Sequence, residues 1–467
     1  MSNTNENITI VDDMDFREVV LDNLKSKDMN ALKILLNEAS ELDLLNIVQE
    51  LSDENQAIVY RLLSKDNALF VFEQLEAADQ EQLLKSFTEK QAIEMITELD
   101  PDDRVKLLDE LPAAVAKRML AALSPEEREA TSLLMGYEAQ TAGRIMTPEY
   151  VRLHKKITAS QALEKVRENA RAEKETIYTL YITDEARKLE GVLSLRDLLV
   201  ADAADTVESI MRENPVKVST DDDQEEVART LQKMDLLSIP VVDKEDRLVG
   251  IITVDDAMDV IEEETTEDIY NQAGLIAGKE ANRSEVLIHG GLWSIWKVRL
   301  PFLFITIVAG MLAAVVLEGF EEVLESIAAV AFFIPLIMDM GGNVGTQSST
   351  VFARGVVLGH IHMKSFFKHL LKEVGVGVSL GAVSGLISGA IAAIWQGDIM
   401  FGFAVGLAVT FTMTLAALLG FLVPFILTKL NVDQAAGSAP IITSVKDISG
   451  ILIYFTLVIT LLGHLVE

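Results

Sequence analysis

No cysteine occurs among the 467 residues. Disulfides, thiolate metal sites and cysteine nucleophiles are therefore excluded. The N-terminus, Met1-Ser2-Asn3-Thr4-Asn5-Glu6, lacks the basic and apolar regions of a signal peptide, so residues 1–290 are expected to stay in the cytoplasm. Positive charge is scarce too: 40 Lys+Arg stand against 72 Asp+Glu, a formal net charge of −32. From Gly291 onward there are only 8 Lys+Arg and 10 Asp+Glu, so nearly all of the negative charge belongs to residues 1–290. Such a surface repels nucleic acid and anionic lipid and attracts cations, divalent ones especially. No nucleic-acid partner is expected.

What the C-terminal third does contain is apolar runs. Roughly 18 apolar residues suffice to cross a bilayer, and residues 300–317, 327–351, 374–394, 400–427 and 443–465 predict five spans. Lys297 and Arg299 precede the first span. Arg354, Lys364, Lys368 and Lys372 lie between the second and third, and Lys429 and Lys446 flank the last turn. The other connections carry acids, so the N-terminus is predicted inside and the C-terminus outside. No span contains Lys or Arg away from its ends, which disfavours a coupled anion transporter. No histidine pair or serine–base arrangement falls in a span, and His360, His362 and His369 cluster in a basic connection. A membrane enzyme is disfavoured as well.

Asp447 opens the last span, and an acid there is costly unless it faces water, a partner or an ion. The adjacent Lys446 points about 100° away on a helix and is expected to neutralise it poorly. An ion-facing carboxylate is the preferred reading. In the second span the string Gly341-Gly342-Asn343-Val344-Gly345-Thr346-Gln347-Ser348 follows Asp339. Its glycine pair is expected to break or kink the helix and free carbonyls toward a cavity. Gly375, Gly377, Gly381, Gly385 and Gly389 mark the third span, where close helix packing outweighs a ligand role.

The first half carries two repeats. Leu51, Leu75, Leu99 and Leu123 recur every 24 residues, with Leu63, Phe87, Leu111 and Met135 in step. This predicts one helix plus turns, or a tight helical pair, stacking into a superhelix. Ser124-Pro125-Glu126-Glu127 forms a capping box. Most acids at such starts are caps, but Glu98 and Asp102, four apart, are expected on one helix face as candidate metal ligands. Arg144-Ile145-Met146-Thr147-Pro148 then matches Ser209-Ile210-Met211-Arg212-Glu213, and Gly191-Val192-Leu193-Ser194-Leu195-Arg196-Asp197 matches Gly250-Ile251-Ile252-Thr253-Val254-Asp255-Asp256. Strand-like runs at 179–182 and 239–242 and amphipathic helices around 158–170 and 222–234 lie between. The whole resembles a tandem pair of cystathionine-β-synthase (CBS) domains, whose Gly-x-x-[Ser/Thr]-x-x-Asp string holds the ribose of adenine nucleotides. Residues 263–292, with Ile269, Leu275, Ile276, Val286 and Leu287 as an apolar stripe, predict a long connecting helix.

Taken in order, these parts resemble the MgtE family of bacterial magnesium channels. The implied fold is a multidomain membrane protein: an α-helical repeat domain over 1–139, α/β tandem CBS domains over 140–262 (about 140–203 and 204–262), a connecting helix over 263–292 and a five-helix pore domain over 293–467. The resemblance implies a homodimer in the bacterial plasma membrane that mediates Mg²⁺ influx, with Asp447, Asn343, Gly342, Thr443 and Pro440 lining the pore. It implies regulatory Mg²⁺ that closes the pore, held by Glu98, Asp102, Asp223, Glu225, Asp235, Asp256, Asp259, Glu264, Glu267, Asp268 and Asp433. It leaves open whether ATP binds; if so, Tyr178, Arg196, Asp197 and Pro240 are implied.

Overall fold

The computed structural model describes residues 13–75, 77–111, 113–171, 176–275, 283–288, 290–430 and 438–463. The chain divides into two compact units, Met1–Glu264 and Thr265–Glu467.

The first unit begins with short helices. Asp13–Ser26 is followed by Met29–Glu38, Glu41–Glu50, Asp53–Tyr60, Lys65–Glu73, Ala77–Ser86, Glu89–Glu98, Pro101–Glu110, Ala113–Ala122 and Pro125–Met135. The 24-residue period is thus a tight pair of helices. Its leucines mark helix ends, not middles: Leu75, Leu99, Leu111 and Leu123 sit in the connections, buried in one common core. The capping box at Ser124 forms as expected, with Glu127 N donating to Ser124 Oγ at 3.3 Å and Ser124 N to Glu127 Oε2 at 2.9 Å. Arg104, buried, staples three helices. It donates to the carbonyls of Ile96 (2.7 Å), Thr97 (3.0 Å) and Leu99 (2.6 Å), and to Thr131 Oγ1 at 3.2 Å. Those carbonyls lie at a helix C-terminus, where intrahelical donors run out.

Glu98 ends one helix and Asp102 stands in the first turn of the next. The expectation that they share a helix face is therefore incorrect. Leu99 turns to extended backbone (ψ 148°), and Pro101, lacking an N–H, starts a new helix.

Two small sheets follow. β1 (Val151–Leu153), β2 (Thr179–Thr183), β3 (Leu189–Ser194) and β4 (Arg212–Glu213) form one sheet in that order; β5 (Val218–Ser219), β6 (Ser238–Val242) and β7 (Leu248–Thr253) form the other. In each, the first pair is parallel and crossed by a helix, Ala159–Arg171 or Gln224–Lys233, and the second is antiparallel. The repeats trade their leading segments. Thr147, from the first copy, bridges Ile251 in β7, and Met146 is buried in the second copy's core. Arg212–Glu213, from the second copy, pairs with β3 of the first. The motif glycines make room for this exchange. A Cβ on Gly191 would lie 2.8 Å from Arg212 O, and one on Gly250 2.8 Å from Thr147 O. Tyr181 Oη and Ser238 Oγ, 2.6 Å apart, tie β2 to β6.

The connecting helix departs from expectation. Its described part is Val254–Gln272, which starts directly after β7, and a separate short helix, Arg283–Ile288. Gly274 (φ +76°) turns the chain after the first piece, in the left-handed region that glycine favours. Ile276 falls outside the described residues.

Among the described residues of the second unit, five helices are long and apolar enough to cross a membrane: Leu292–Glu318, Ala328–Val357, Met363–Gln396, Ile399–Lys429 and Ile441–Leu462. The fourth is the bundle's centre, with Ala404, Ala408, Thr412 and Ala416 all buried. It packs on the third through glycines. A Cβ on Gly381 would meet Thr410 O at 2.8 Å and one on Gly389 would meet Gly402 O at 2.7 Å, while Thr410 Oγ1 donates to Gly381 O at 3.0 Å. These glycines serve close helix packing, as anticipated. Gly375 takes no part, since a Cβ there would meet nothing within 4 Å. Stacked Phe366 and Phe425, with Phe352 and Phe421, pin the second, third and fourth spans at one end.

Candidate functional site

Contrary to expectation, the glycine-rich string does not break its helix, which runs unbroken over Ile334–Val357. Packing explains this, because the glycines lie under the fifth span. A Cβ on Gly345 would be 3.1 Å from Ile442 Cγ2, and one on Gly341 3.0 Å from Lys446 Cδ. One on Gly342 would lie 3.2 Å from Lys446 Nζ. The glycine pair is a socket for a lysine stem.

Lys446 is accordingly buried, its side chain 5% exposed against 22% for Asp447. Its Nζ donates to Met338 O at 2.8 Å and stands 2.5 Å from Asp447 Oδ1. This corrects the expectation that Lys446 neutralises its neighbour poorly. The two Cβ atoms diverge, but a four-carbon stem curls back far enough to close the gap. The contact is close without hydrogen-bond alignment.

A polar stripe runs along the second span. Asp339, Asn343, Thr346, Gln347 and Thr350 are exposed, at spacings that keep them on one face. Asn343 Nδ2 donates to Asp339 Oδ2 at 3.2 Å. Thr443, exposed, lies one turn before Asp447 on the fifth span. Gly342, Lys446 and Asp447 are thus brought together, with Asn343 and Thr443 on the exposed side of the two helices. The side chain of Pro440 and all of Asp433 lie outside the described residues. The sequence reading passed over Glu373, which accepts a 2.7 Å hydrogen bond from buried Ser348. Glu373 sits just ahead of an apolar run and so reads as part of a basic connection.

A second concentration of acids lies in the first unit, where helix Pro101–Glu110 packs on the second sheet's domain. Val105 is buried with Ala257 and Val260. On the flanks of that contact, Asp103 and Lys106 meet Asp255, Asp256, Asp259 and Glu263. Burial pushes Asp103 up to about 6; the charges of Asp100, Asp259 and Asp255 add to this and Lys106 opposes it. Burial raises Asp256 to about 7, assisted by Asp255 and Asp103 and opposed by a 2.5 Å hydrogen bond from Thr253 Oγ1. Glu73 also rises to about 7, through burial and then the charges of Asp103 and Asp100. Lys106 is 3.1 Å from Glu263 and 3.5 Å from Asp259. Burial works against its ammonium, yet these carboxylates hold its pKa above the ordinary lysine value. Among the described residues no three carboxylates or imidazoles converge as a metal-ligand set.

The remaining anticipated ligands are scattered. Glu98 pairs with Lys65 at 2.5 Å. Asp102 is buried at its helix start, and Asp223 caps a helix by accepting from Glu225 N and Glu226 N. Glu225 pairs with Arg229, and Asp235 occupies a left-handed turn (φ +51°). Glu264 accepts from Gln224 Nε2 at 2.9 Å, and Glu267 from Asn271 Nδ2 at 3.2 Å. Glu267 and Asp268 belong to the second unit. Of the anticipated set, Asp256 and Asp259 join the acidic seam. Asp103, Asp100 and Glu73 were missed, since in sequence they look like ordinary cap and surface acids.

For the anticipated nucleotide site, Leu195 N donates to Tyr178 O at 2.9 Å, so Tyr178, Arg196 and Asp197 share one sheet edge. Asp197 N donates to Ser194 Oγ at 3.0 Å, and the Asp197 carboxylate lies 3.6 Å from Arg212 of β4. Tyr178 is 64% exposed. Pro240 is buried in β6, the strand that Ser238 ties to β2.

Known families match this order of domains. Residues 334–457 match MgtE, the divalent cation transporter family; residues 39–140 match the MgtE intracellular N domain, and 142–204 and 207–263 the CBS domain. The magnesium transporter MgtE of Thermus thermophilus is 38% identical over 436 residues, which cover 93% of this chain and 95% of that protein. Its Bacillus subtilis counterpart is 34% identical over 327 residues, 70% of this chain and 71% of the other. A crystal structure of the cytosolic domain of the Mg²⁺ channel MgtE in complex with ATP superposes with a TM-score of 0.50 at 40% identity, covering 52% of this chain and 99% of that one. With such identity along nearly its whole length, and five membrane-capable helices after a helical array and a CBS pair, the chain belongs to the MgtE family of magnesium transporters, multi-pass membrane proteins and not enzymes.

Proposed function

We propose that the chain conducts Mg²⁺ at Asp447, with Thr443, Gly342, Asn343 and Pro440 completing the path, in a homodimer whose two carboxylates face each other. The observation that carries this reading is the position of Asp447 beside the exposed polar stripe of the second span. A polar stripe on a membrane helix is costly against lipid and favourable against water or a second copy. Magnesium dehydrates reluctantly, so a wide ring of carboxylate, amide and hydroxyl oxygens suits its hydrated ion better than a dry cage. The test is Mg²⁺ uptake into proteoliposomes. Asp447→Asn is expected to abolish it, and unaltered uptake overturns the assignment.

Regulation follows from the acidic seam. Carboxylates crowded around Lys106 repel one another, and a divalent cation relieves that repulsion and draws helix Pro101–Glu110 onto helix Val254–Gln272. High internal Mg²⁺ then holds the transporter shut. Asp256 and Asp259 act here with Asp103, while Glu98, Asp102, Asp223, Glu225, Asp235, Glu264, Glu267, Asp268 and Asp433 remain candidates on the family pattern. Uptake by Asp103→Asn/Asp256→Asn should lose its sensitivity to internal Mg²⁺; retained inhibition counts against the seam. Nucleotide binding, assigned on the family pattern to Tyr178, Arg196, Asp197 and Pro240, is supported by the likeness of this half of the chain to a domain crystallised with ATP. Equilibrium dialysis of the full chain against ATP, with and without Arg196→Ala, tests it. The basic connections support a bacterial plasma-membrane protein with its N-terminus in the cytoplasm and its C-terminus outside.

A further inference from the structure

We infer that Lys446 is a tethered counter-ion that occupies Asp447 between ions and sets which cations can take its place, an inference that rests on the ion-path reading above. Three observations converge on it. Lys446 is buried, with its ammonium on Asp447 and on the carbonyl of Met338. The second span presents glycine at both positions that its stem and ammonium cross, and side chains at Gly341 or Gly342 would come within 3.0 to 3.2 Å of the lysine. The ion pair is close but lacks hydrogen-bond alignment, so the ammonium is lodged against the carboxylate while Met338 O receives its directed hydrogen bond.

A carboxylate held this way meets every arriving ion in competition with a cation that cannot diffuse away. The tether gives the ammonium a high effective concentration. A monovalent ion offers Asp447 no more charge than the ammonium already does, and so gains little by displacing it. A divalent ion interacts with twice the Coulomb energy at the same distance, and displaces the ammonium toward Met338 O. The lysine therefore lowers affinity for all cations while penalising monovalent ones most. It is a specificity residue that works through Asp447, not a ligand.

The experiment uses the full chain in proteoliposomes, reading Mg²⁺ and Na⁺ flux across a series of concentrations. Lys446→Met is expected to shift half-saturation to roughly tenfold lower Mg²⁺ and to admit Na⁺ when Mg²⁺ is withdrawn. Lys446→Arg, which keeps the charge, should still exclude Na⁺. Gly341→Ala keeps the lysine but intrudes on its stem, a Cβ there lying 3.0 Å from Lys446 Cδ, and should shift both readouts in the direction of Lys446→Met; it serves alone should Lys446→Met yield no folded protein. A merely structural lysine would lower total flux without moving half-saturation or Na⁺ exclusion, and that outcome overturns the inference. Asp447→Asn separates the two claims. Loss of flux in Asp447→Asn together with unchanged selectivity in Lys446→Met rejects the lysine alone, whereas normal flux in Asp447→Asn rejects the ion path itself.

Discussion

In the unit Met1–Glu264, Lys106 is ringed by Asp103, Asp259 and Glu263, with Asp255 and Asp256 close by. In the unit Thr265–Glu467, Lys446 is matched to the single carboxylate of Asp447. The first arrangement has more acid than base and leaves charge for protons or ions from solution to balance. The second carries its counter-ion on the chain, since an acid in a membrane helix is costly unless it is paired or faces water or an ion. The same side-chain types thus make an acid-rich seam in one place and a one-to-one ion pair in the other. The backbone differs in the same sense: helical-repeat helices are held by caps and a buried arginine, and the spans by glycines that let helices touch.

The largest expected effect breaks the membrane half of this contrast. Asp447→Asn keeps the shape and removes the charge, and Mg²⁺ uptake should fall by about 100-fold or more, corresponding to about 2.7 kcal/mol of lost stabilisation. The next breaks the other unit. Arg104→Ala leaves the carbonyls of Ile96, Thr97 and Leu99 without their donor and should destabilise the helical array by roughly 3 kcal/mol, read by denaturant titration.

A third prediction sharpens the contrast through pH. Asp103 is raised to about 6 and Asp256 and Glu73 to about 7. A carboxyl whose folded value lies above its unfolded one binds more protons when folded. Its stabilising contribution is therefore present at low pH and lost as pH rises from about 4 through these values. Without divalent ions the melting temperature of the full chain in detergent should fall by several degrees between about pH 5 and pH 8, and millimolar Mg²⁺ should flatten that fall. A melting temperature that climbs over this range would mean the seam is not strained. The smallest effect is local: Ser124→Ala removes one half of a capping box and should cost about 1 kcal/mol by thermal unfolding, with transport unchanged.

Much was legible in the chain because its signals are local. Apolar runs long enough to cross a bilayer marked five helices, and the 24-residue leucine period marked the helical array. The CBS pair declared itself by matched strings around Gly191 and Gly250. What misled was also local reasoning, applied where distant packing decides. A glycine pair reads as a helix breaker until Lys446 is found lying across it. Glu98 and Asp102 fit one helix by count, yet Pro101 separates them into two.

The amino-acid order by itself determined the partition of charge, the membrane-spanning stretches, the repeats and the family pattern, since hydrophobicity, capping and spacing are properties of neighbouring residues. Only the tertiary structure decided that the CBS repeats exchange their leading segments, that Asp103 rather than Glu98 meets Asp256 and Asp259, and that Lys446 rests on Asp447. Those outcomes depend on which surfaces come within a few ångströms after folding, and burial then sets the cost of each charge left there.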